Sequence, residues 1–569
     1  MDNYISVFPD KEEALLWDSE PVPFFMSPAI VKDRTDRYTL VADPLNKGQF
    51  NVRVYSAISV VGDQSFPADR AWALQQIYSS PDFIADASGA GGVWQKNAQQ
   101  VTYRVSIISK LSMLGILKFS TLDPMGMGVE MEGGKPGWND AMNGLPGLIG
   151  SGMAETYEML RIIRYVKAAL MRHVRAVQYP EEFSDFMIAL AHALEVHDGS
   201  SGSQRDNHLY WDATNNAREM YRHKVSVTFS GVTVEVPSDR LILLLTAMEK
   251  KTNDGITRAL ESTGGLSPSY FHYECVDYEV IPSKKNGTLP AAPRTAPLPP
   301  IVEIPKIACR EFTTQSLPIF LEGPVRHMKI LRSHDDRLAV YHATKDSDIY
   351  DPFLKMYRLS ESLQDMRQDV GRMKAFTPGW LENQSIWLHM SYKFYLELLR
   401  GGLYTEFFEE ISTGLVPFMN NTMYGRSPLE AASFIVSSVF PDKKLHGSSF
   451  LARLTGSTAE MMSIWSIMMA GHRPFILDTK GTLMLSLKPI LPGWLFTENG
   501  TVSFKFLSDV LVTYHNPDRL DSWTIESKSI KVVYKDGISS EFPGGPLSEG
   551  VAESVRGLGV RSIDVYYKY

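Results

Sequence analysis

The run Gly133-Gly134-Lys135-Pro136-Gly137-Trp138-Asn139-Asp140-Ala141-Met142-Asn143-Gly144 sets one carboxylate beside an indole, two amides and several glycines. Glycine lets a backbone approach a ligand closely or turn through positive φ. Trp138 offers a flat apolar face of the kind that packs on a sugar ring. Asp140 can serve as a general acid where its surroundings raise its pKa. An ordinary glycine-rich turn has the same composition, and on this stretch alone the two readings stand side by side.

Two further stretches concentrate reactive side chains. Pro378-Gly379-Trp380-Leu381-Glu382-Asn383-Gln384-Ser385-Ile386-Trp387-Leu388-His389 sets Glu382, Asn383 and His389 around a helix start. His389 follows Ile386 by three residues, on or beside the apolar face, where a histidine is most often a satisfied core residue. In Phe450-Leu451-Ala452-Arg453-Leu454-Thr455-Gly456-Ser457-Thr458-Ala459-Glu460, a glycine and small hydroxyl residues stand at a helix N-terminus. Free amides and the helix dipole make such an end a natural anion site, although a plain Ser/Thr cap is commoner.

The elements that must position these residues are mostly helical. Helices are predicted over Ala71–Tyr78 and Val105–Leu117. From Ala154 onward, Met159, Ile162, Ile163, Val166, Ala169 and Leu170 recur at three- and four-residue steps, one buried face. Phe183, Phe186, Met187, Leu190 and Leu194 mark a second helix, so the pair reads as an αα-hairpin. Alternation over Val225, Val227 and Phe229, then Val232, Val234 and Val236, with Ser230-Gly231 between, reads as a β-hairpin. Residues 281–305 carry seven prolines, a long loop wrapping the domain. Helical patterns return over Tyr357–Met373, Ile386–Leu399, Tyr404–Glu410 and Thr458–Ala470, and from residue 475 strand patterns dominate.

Composition narrows the function classes. A chain of 569 residues has room for roughly three to four domains, or one large domain and a smaller one. The net charge of −8 and the pI near 6.0 disfavour a nucleic-acid partner, which needs a basic surface. Cys275 and Cys309 are the only cysteines and stand in no Cys/His metal spacing, so no metal is expected; two thiols in a reducing cytoplasm fit better than a disulfide. No signal-peptide pattern opens the chain and no apolar run reaches about 18 residues, so a cytoplasmic protein without a membrane span is expected.

Taken together, Trp138-Asn139-Asp140, Glu382-Asn383 with His389, and Leu454-Thr455-Gly456 ahead of a helix resemble the inverting glycoside phosphorylases of glycoside hydrolase family 94, the cellobiose and chitobiose phosphorylases. Tyr210-Trp211-Asp212, Ala217-Arg218-Glu219-Met220-Tyr221-Arg222 and Leu317-Pro318-Ile319-Phe320-Leu321-Glu322-Gly323-Pro324 resemble the 1,2-β-oligoglucan phosphorylase branch. The resemblance runs from about residue 30 to the C-terminus. It implies a mainly α fold: an (α/α)6-type barrel over residues 1–474, incomplete at its N-terminus, then a small β-sandwich over 475–569. It implies reversible phosphorolysis of β-1,2-linked gluco-oligosaccharides with inversion, yielding α-glucose 1-phosphate, with inorganic phosphate as co-substrate and no cofactor.

Residue by residue, the resemblance makes Asp140 the general acid and Trp138 a wall of the sugar subsite, with Gly137 where the family carries Asp. His389, Thr455 and Gly456 would hold phosphate. An arginine completes that site in the family, and Arg34 and Arg37 of Asp33-Arg34-Thr35-Asp36-Arg37 are the candidates, with Arg53 at the end of the following Phe50-Asn51-Val52-Arg53; a solvated charge cluster accounts for them equally. Glu382 would face the acceptor sugar. Only the C-terminal portion of such an enzyme is matched, which implies an upstream polypeptide or a second copy to complete the barrel. Two alternatives stand beside this reading. One is an inverting hydrolase, a transglycosylase or a phosphorylase of another linkage; a hydrolase would need a second carboxylate about 6.5–9.5 Å from Asp140. The other is a non-catalytic or partner-dependent carbohydrate-binding subunit.

Overall fold

The longest strands in the chain flank the proline-rich segment. Tyr270–Ile281 and Lys306–Ser316 pair antiparallel, with Phe271, Tyr273, Ile307, Cys309 and Phe312 buried. The computed structural model describes residues 2–27, 29–43, 49–54, 57–63, 66–78, 94–131, 140–197, 204–281, 306–427, 431–451 and 455–568. Residues 282–305 therefore lie outside the described residues, and the segment joins two strands of one sheet.

Contacts divide the chain into two units, each discontinuous in sequence. The larger comprises residues 20–330 and 360–384; the other comprises 1–19, 331–359 and 385–569. The larger unit is built on a six-stranded antiparallel sheet. Its strands are β1 (Tyr38–Ala42), β2 (Phe50–Val54), β3 (Val129–Glu130), β4 (Gly150–Gly152), β5 (Tyr270–Ile281) and β6 (Lys306–Ser316), in the order β2-β1-β6-β5-β4-β3. Around it stand helices α1 (Ile107–Phe119), α2 (Met153–His173), α3 (Glu181–Val196), α4 (Gln204–Lys224) and α5 (Ser238–Glu261). Tyr157 of α2, Trp211 of α4 and Ile256 of α5 share one core with Tyr38, Val52, Phe271 and Phe312 of the sheet. Ser106 caps α1 by accepting the Ser109 amide, the expected use of a serine at that position.

This sheet overturns the expected helical barrel. Strand makes up 23% of the structure against 44% helix, so the chain is a mixed α and β protein, not a mainly α one. β5 buries Tyr270–Tyr273 in one run and its register against β6 shifts between Cys275 and Tyr278, so no clean alternation marks it. The anticipated β-hairpin at 225–236 is also absent. Thr228–Phe229 pairs parallel with Lys96–Asn97, while Thr233–Val236 pairs antiparallel with Val177–Pro180. That last strand separates α2 from α3, and the helices find other partners: α2 packs with α1 and α5, and α3 with α4.

In the other unit, α6 (His334–Lys345), α7 (Leu388–Arg400), α8 (Tyr404–Gly414) and α9 (Thr455–Ala470) precede the C-terminal strands. α7 packs against both α8 and α9 and is buried along nearly its whole length. The strands β7 (Thr501–Phe506), β8 (Val510–His515), β9 (Ser529–Tyr534), β10 (Ser539–Pro543) and β11 (Val560–Tyr566) form one mixed five-stranded sheet, ordered β7-β8-β11-β9-β10, with β8 and β11 parallel. Among the described residues this replaces the expected β-sandwich. The expected boundary at 474/475 falls inside this unit. Cys275 and Cys309 are both free thiols. No helix among the described residues is long and apolar enough to cross a membrane.

Candidate functional site

In the larger unit, Asp140 opens a short 3₁₀ turn, Asp140–Met142. Trp138 and Gly137 lie outside the described residues. Ala141 and Met142 are buried, and the turn rests on the segment Asp369–Ala375 through direct backbone contact. The Gly144 amide donates to the Val370 carbonyl at 2.9 Å. A Cβ on Gly144 would stand 1.9 Å from the Asp369 carbonyl oxygen, so only glycine permits this approach. Gly371 answers from the other side: its φ is +147°, and a Cβ there would stand 2.1 Å from the Ala141 carbonyl oxygen. The glycine of Asn143-Gly144 thus serves a close approach, here to the protein's own backbone.

The same segment carries Glu382 to this region. Arg372 stands 3.6 Å from the Glu382 carboxylate, on a tight turn in which Gly379, Leu381 and Gln384 all have positive φ. Asn383 ties the turn back, its side-chain amide donating to the Phe376 carbonyl at 2.7 Å. Beside the Asp140 turn, Asp369 accepts two hydrogen bonds from Arg367, at 2.9 and 2.8 Å, and faces Arg53 at 3.6 Å. Arg367 holds the Asp369 carboxyl below its ordinary range, while burial, with Arg367 next, depresses the Arg53 guanidinium.

Arg34 and Arg37 lie in the same unit, matched within the fold. The Arg34 guanidinium donates to Asp212 at 2.6 Å and to Glu219 at 3.3 Å, and lies over the Trp211 ring. Despite the burial that opposes it, Glu219 and Asp212 raise its pKa. Arg37 is buried; its Nε donates to the Lys32 carbonyl at 2.7 Å, and its Nη2 stands 3.6 Å from Glu219. Arg37 also borders a small cavity with Glu130, Met131 and Gly150. Burial raises the Glu130 pKa, opposed by Arg218 and Arg37, and Trp211 donates its indole N–H to Glu130. The Tyr210–Arg222 segment therefore serves, through Trp211, Asp212, Arg218 and Glu219, a network of matched charges that runs from buried Arg218 to half-exposed Asp212.

The other unit brings His389 and Gly456 together across 67 residues of chain. His389 is the second residue of α7, and Gly456 the second of α9. A Cβ placed on Gly456 would stand 3.2 Å from the His389 Cβ, so the imidazole backbone edge and the α9 N-terminus are in contact. Thr455 begins α9. The Trp387 ring meets the imidazole edge-on at 5.7 Å and stacks on Phe434. Burial, with Lys393 adding to it, lowers the His389 pKa to about 4. The imidazole is therefore neutral at pH 7, which decides between the two protonation states left open by sequence. It stands where the first amides of α9 have no partner within the helix.

No protein-family model and no curated protein matches this chain.

Among the described residues, no group of three or more His, Cys, Asp or Glu side chains is arranged to hold a metal ion. Residues that sequence reading missed are Asp369, Gly371 and Arg372, which support the Asp140 turn and Glu382. Their signal was the glycine inside an apparent helical repeat at 357–373.

Proposed function

We propose that the chain catalyses reversible phosphorolysis of β-1,2-linked gluco-oligosaccharides with inversion, giving α-glucose 1-phosphate. The observation that carries the reading is the contact of the neutral His389 with Gly456 at the start of the 16-residue helix α9. A neutral imidazole offers one N–H donor, and the helix end adds backbone amides and a favourable dipole. Donors of this kind suit inorganic phosphate, and Thr455 adds a hydroxyl.

In the proposed reaction a phosphate oxygen attacks the anomeric carbon as the glycosidic C–O bond breaks on the opposite face. Asp140 enters protonated and passes its proton to the leaving oxygen. Phosphate is already an anion at neutral pH, so no second carboxylate is needed to activate a nucleophile, in contrast to an inverting hydrolase. Positioning and electrostatic stabilisation of the oxocarbenium-like transition state supply most of the rate. Trp138 and Glu382 contact sugar in this reading. Arg34 and Arg37, with their charges matched by Asp212 and Glu219, tie elements of the larger unit together. In this reading the enzyme acts in the cytoplasm on phosphate and oligosaccharide and uses no cofactor.

The test is incubation of the full chain with sophorotriose and phosphate. Glucose 1-phosphate should accumulate with the wild type and fall at least a hundredfold with Asp140→Asn. Release of free glucose at the same rate with and without phosphate would overturn the reading in favour of hydrolysis.

A further inference from the structure

A cleft of about 380 Å3 opens in the larger unit at the end of strands β5 and β6. That size lies within the range of small-molecule sites, roughly 300–1,000 Å3. One wall is the cross-strand pair His272 and Gln315; the floor begins at Leu317; the facing wall carries Glu361, Asp365 and Met366. His272 is only 2% exposed, and its Nδ1 is buried with no hydrogen-bond partner among the described residues. Burying an imidazole nitrogen unsatisfied costs free energy, and His272 is among the residues that line the cleft. Burial, with Arg367 next, lowers the His272 pKa, so the ring is neutral at pH 7.

The charges select the ligand. Arg367 borders the cleft, but its guanidinium is taken up by Asp369 and by Glu274. Glu361 accepts the Ile319 amide at 2.8 Å, and Asp365 is exposed. Among the described lining residues the one Lys or Arg, Arg367, is committed, so the two carboxylates repel phosphate and accept hydrogen bonds from hydroxyl groups. Gln315 both donates and accepts, and Leu317 and Met366 supply an apolar face for C–H groups. The wall segment 365–367 continues directly into Asp369–Gly371, on which the Asp140 turn rests.

We infer that this cleft binds an uncharged oligosaccharide, as a subsite for sugar units away from the bond that Asp140 cleaves. The identity of the sugar rests on the phosphorolysis reading; the preference for a neutral polyhydroxyl ligand does not. The probe is calorimetric titration of the full chain with β-1,2-glucotetraose, without phosphate, with cellotetraose and laminaritetraose compared. Gln315 and Asp365 are exposed, so Gln315→Ala/Asp365→Ala should keep the wild-type melting temperature and weaken tetraose binding at least tenfold. Equal affinity in wild type and variant, no tetraose binding by the wild type, or phosphate binding that the double substitution abolishes would each overturn the inference. The two readings fail separately. Tetraose binding lost in the variant but no glucose 1-phosphate formed would leave the cleft and remove phosphorolysis. Glucose 1-phosphate formed with tetraose affinity unchanged in the variant would do the reverse.

Discussion

His389 connects protonation, stability and the proposed anion site. Its folded pKa of about 4 lies below the ordinary histidine value of 6.5, so acid favours the unfolded chain, which binds the proton more readily. The stabilisation from the neutral ring is whole above about pH 6.5 and is lost as pH falls through about 4. Two to three pKa units correspond to roughly 3 kcal/mol. Denaturant unfolding at pH 7, 5.5 and 4 should therefore show a steeper acid loss for wild type than for His389→Gln, which does not titrate there. At pH 7, His389→Leu removes the proposed phosphate donor, and kcat/KM for phosphate should fall about 10- to 100-fold, as a lost hydrogen bond to a charged group implies. Gly456→Ala tests the contact itself. Its Cβ would crowd His389 at 3.2 Å, while alanine favours the helix by roughly 0.5–1 kcal/mol. Stability should change by less than about 1 kcal/mol while KM for phosphate rises several-fold.

At the scale of elements, two glycines hold the Asp140 turn to its support. Gly371→Ala places a side chain where φ is +147° and the Ala141 carbonyl oxygen is 2.1 Å away. The two segments must separate, and unfolding free energy should drop by at least about 2 kcal/mol, measured by denaturant titration. This support was hidden in the sequence for a physical reason. Leu359, Leu363, Met366, Val370 and Met373 are all buried and spaced as on a helix, yet the segment contains only short 3₁₀ turns. Ser360 bridges to Phe320, the Glu361 backbone and side chain bond Ile319, and Gly371 adopts a conformation no helix contains. Tertiary pairing outweighs the local period. By contrast, α2 and α3 were legible nearly to their ends because each buries one continuous face, and α7 because apolar residues run along nearly its whole length. The sheet was not legible: β4 and β3 are too short to carry a pattern, and β5 has a buried run and a register shift in place of alternation. Of the candidate site, the joining of His389 with Gly456 came from the family resemblance and not from residue type, and the commitment of Arg34 to acids nearly 180 residues distant had no signal in the sequence.

At the scale of the whole molecule, the expected barrel gives way to two mixed units, and the functional reading now rests on local groupings within each. Arg34 shows how the larger unit is tied together. It holds the start of the chain's first sheet region to α4 through Asp212 and Glu219, and it is 12% exposed at the side chain. Arg34→Ala leaves the half-exposed Asp212 without its cation and Glu219 with Arg37 alone, and a stability loss of about 1 kcal/mol should follow, with KM for phosphate unchanged. A raised KM with stability intact would instead return Arg34 to the phosphate site. The central claim is inverting phosphorolysis, and the anomeric configuration of the first product tests it most directly. Proton NMR of the full chain with sophorotriose and phosphate should show the α-glucose 1-phosphate anomeric signal appearing from the first minutes, absent with Asp140→Asn. A β-phosphate, or free glucose formed without phosphate consumption, would contradict it.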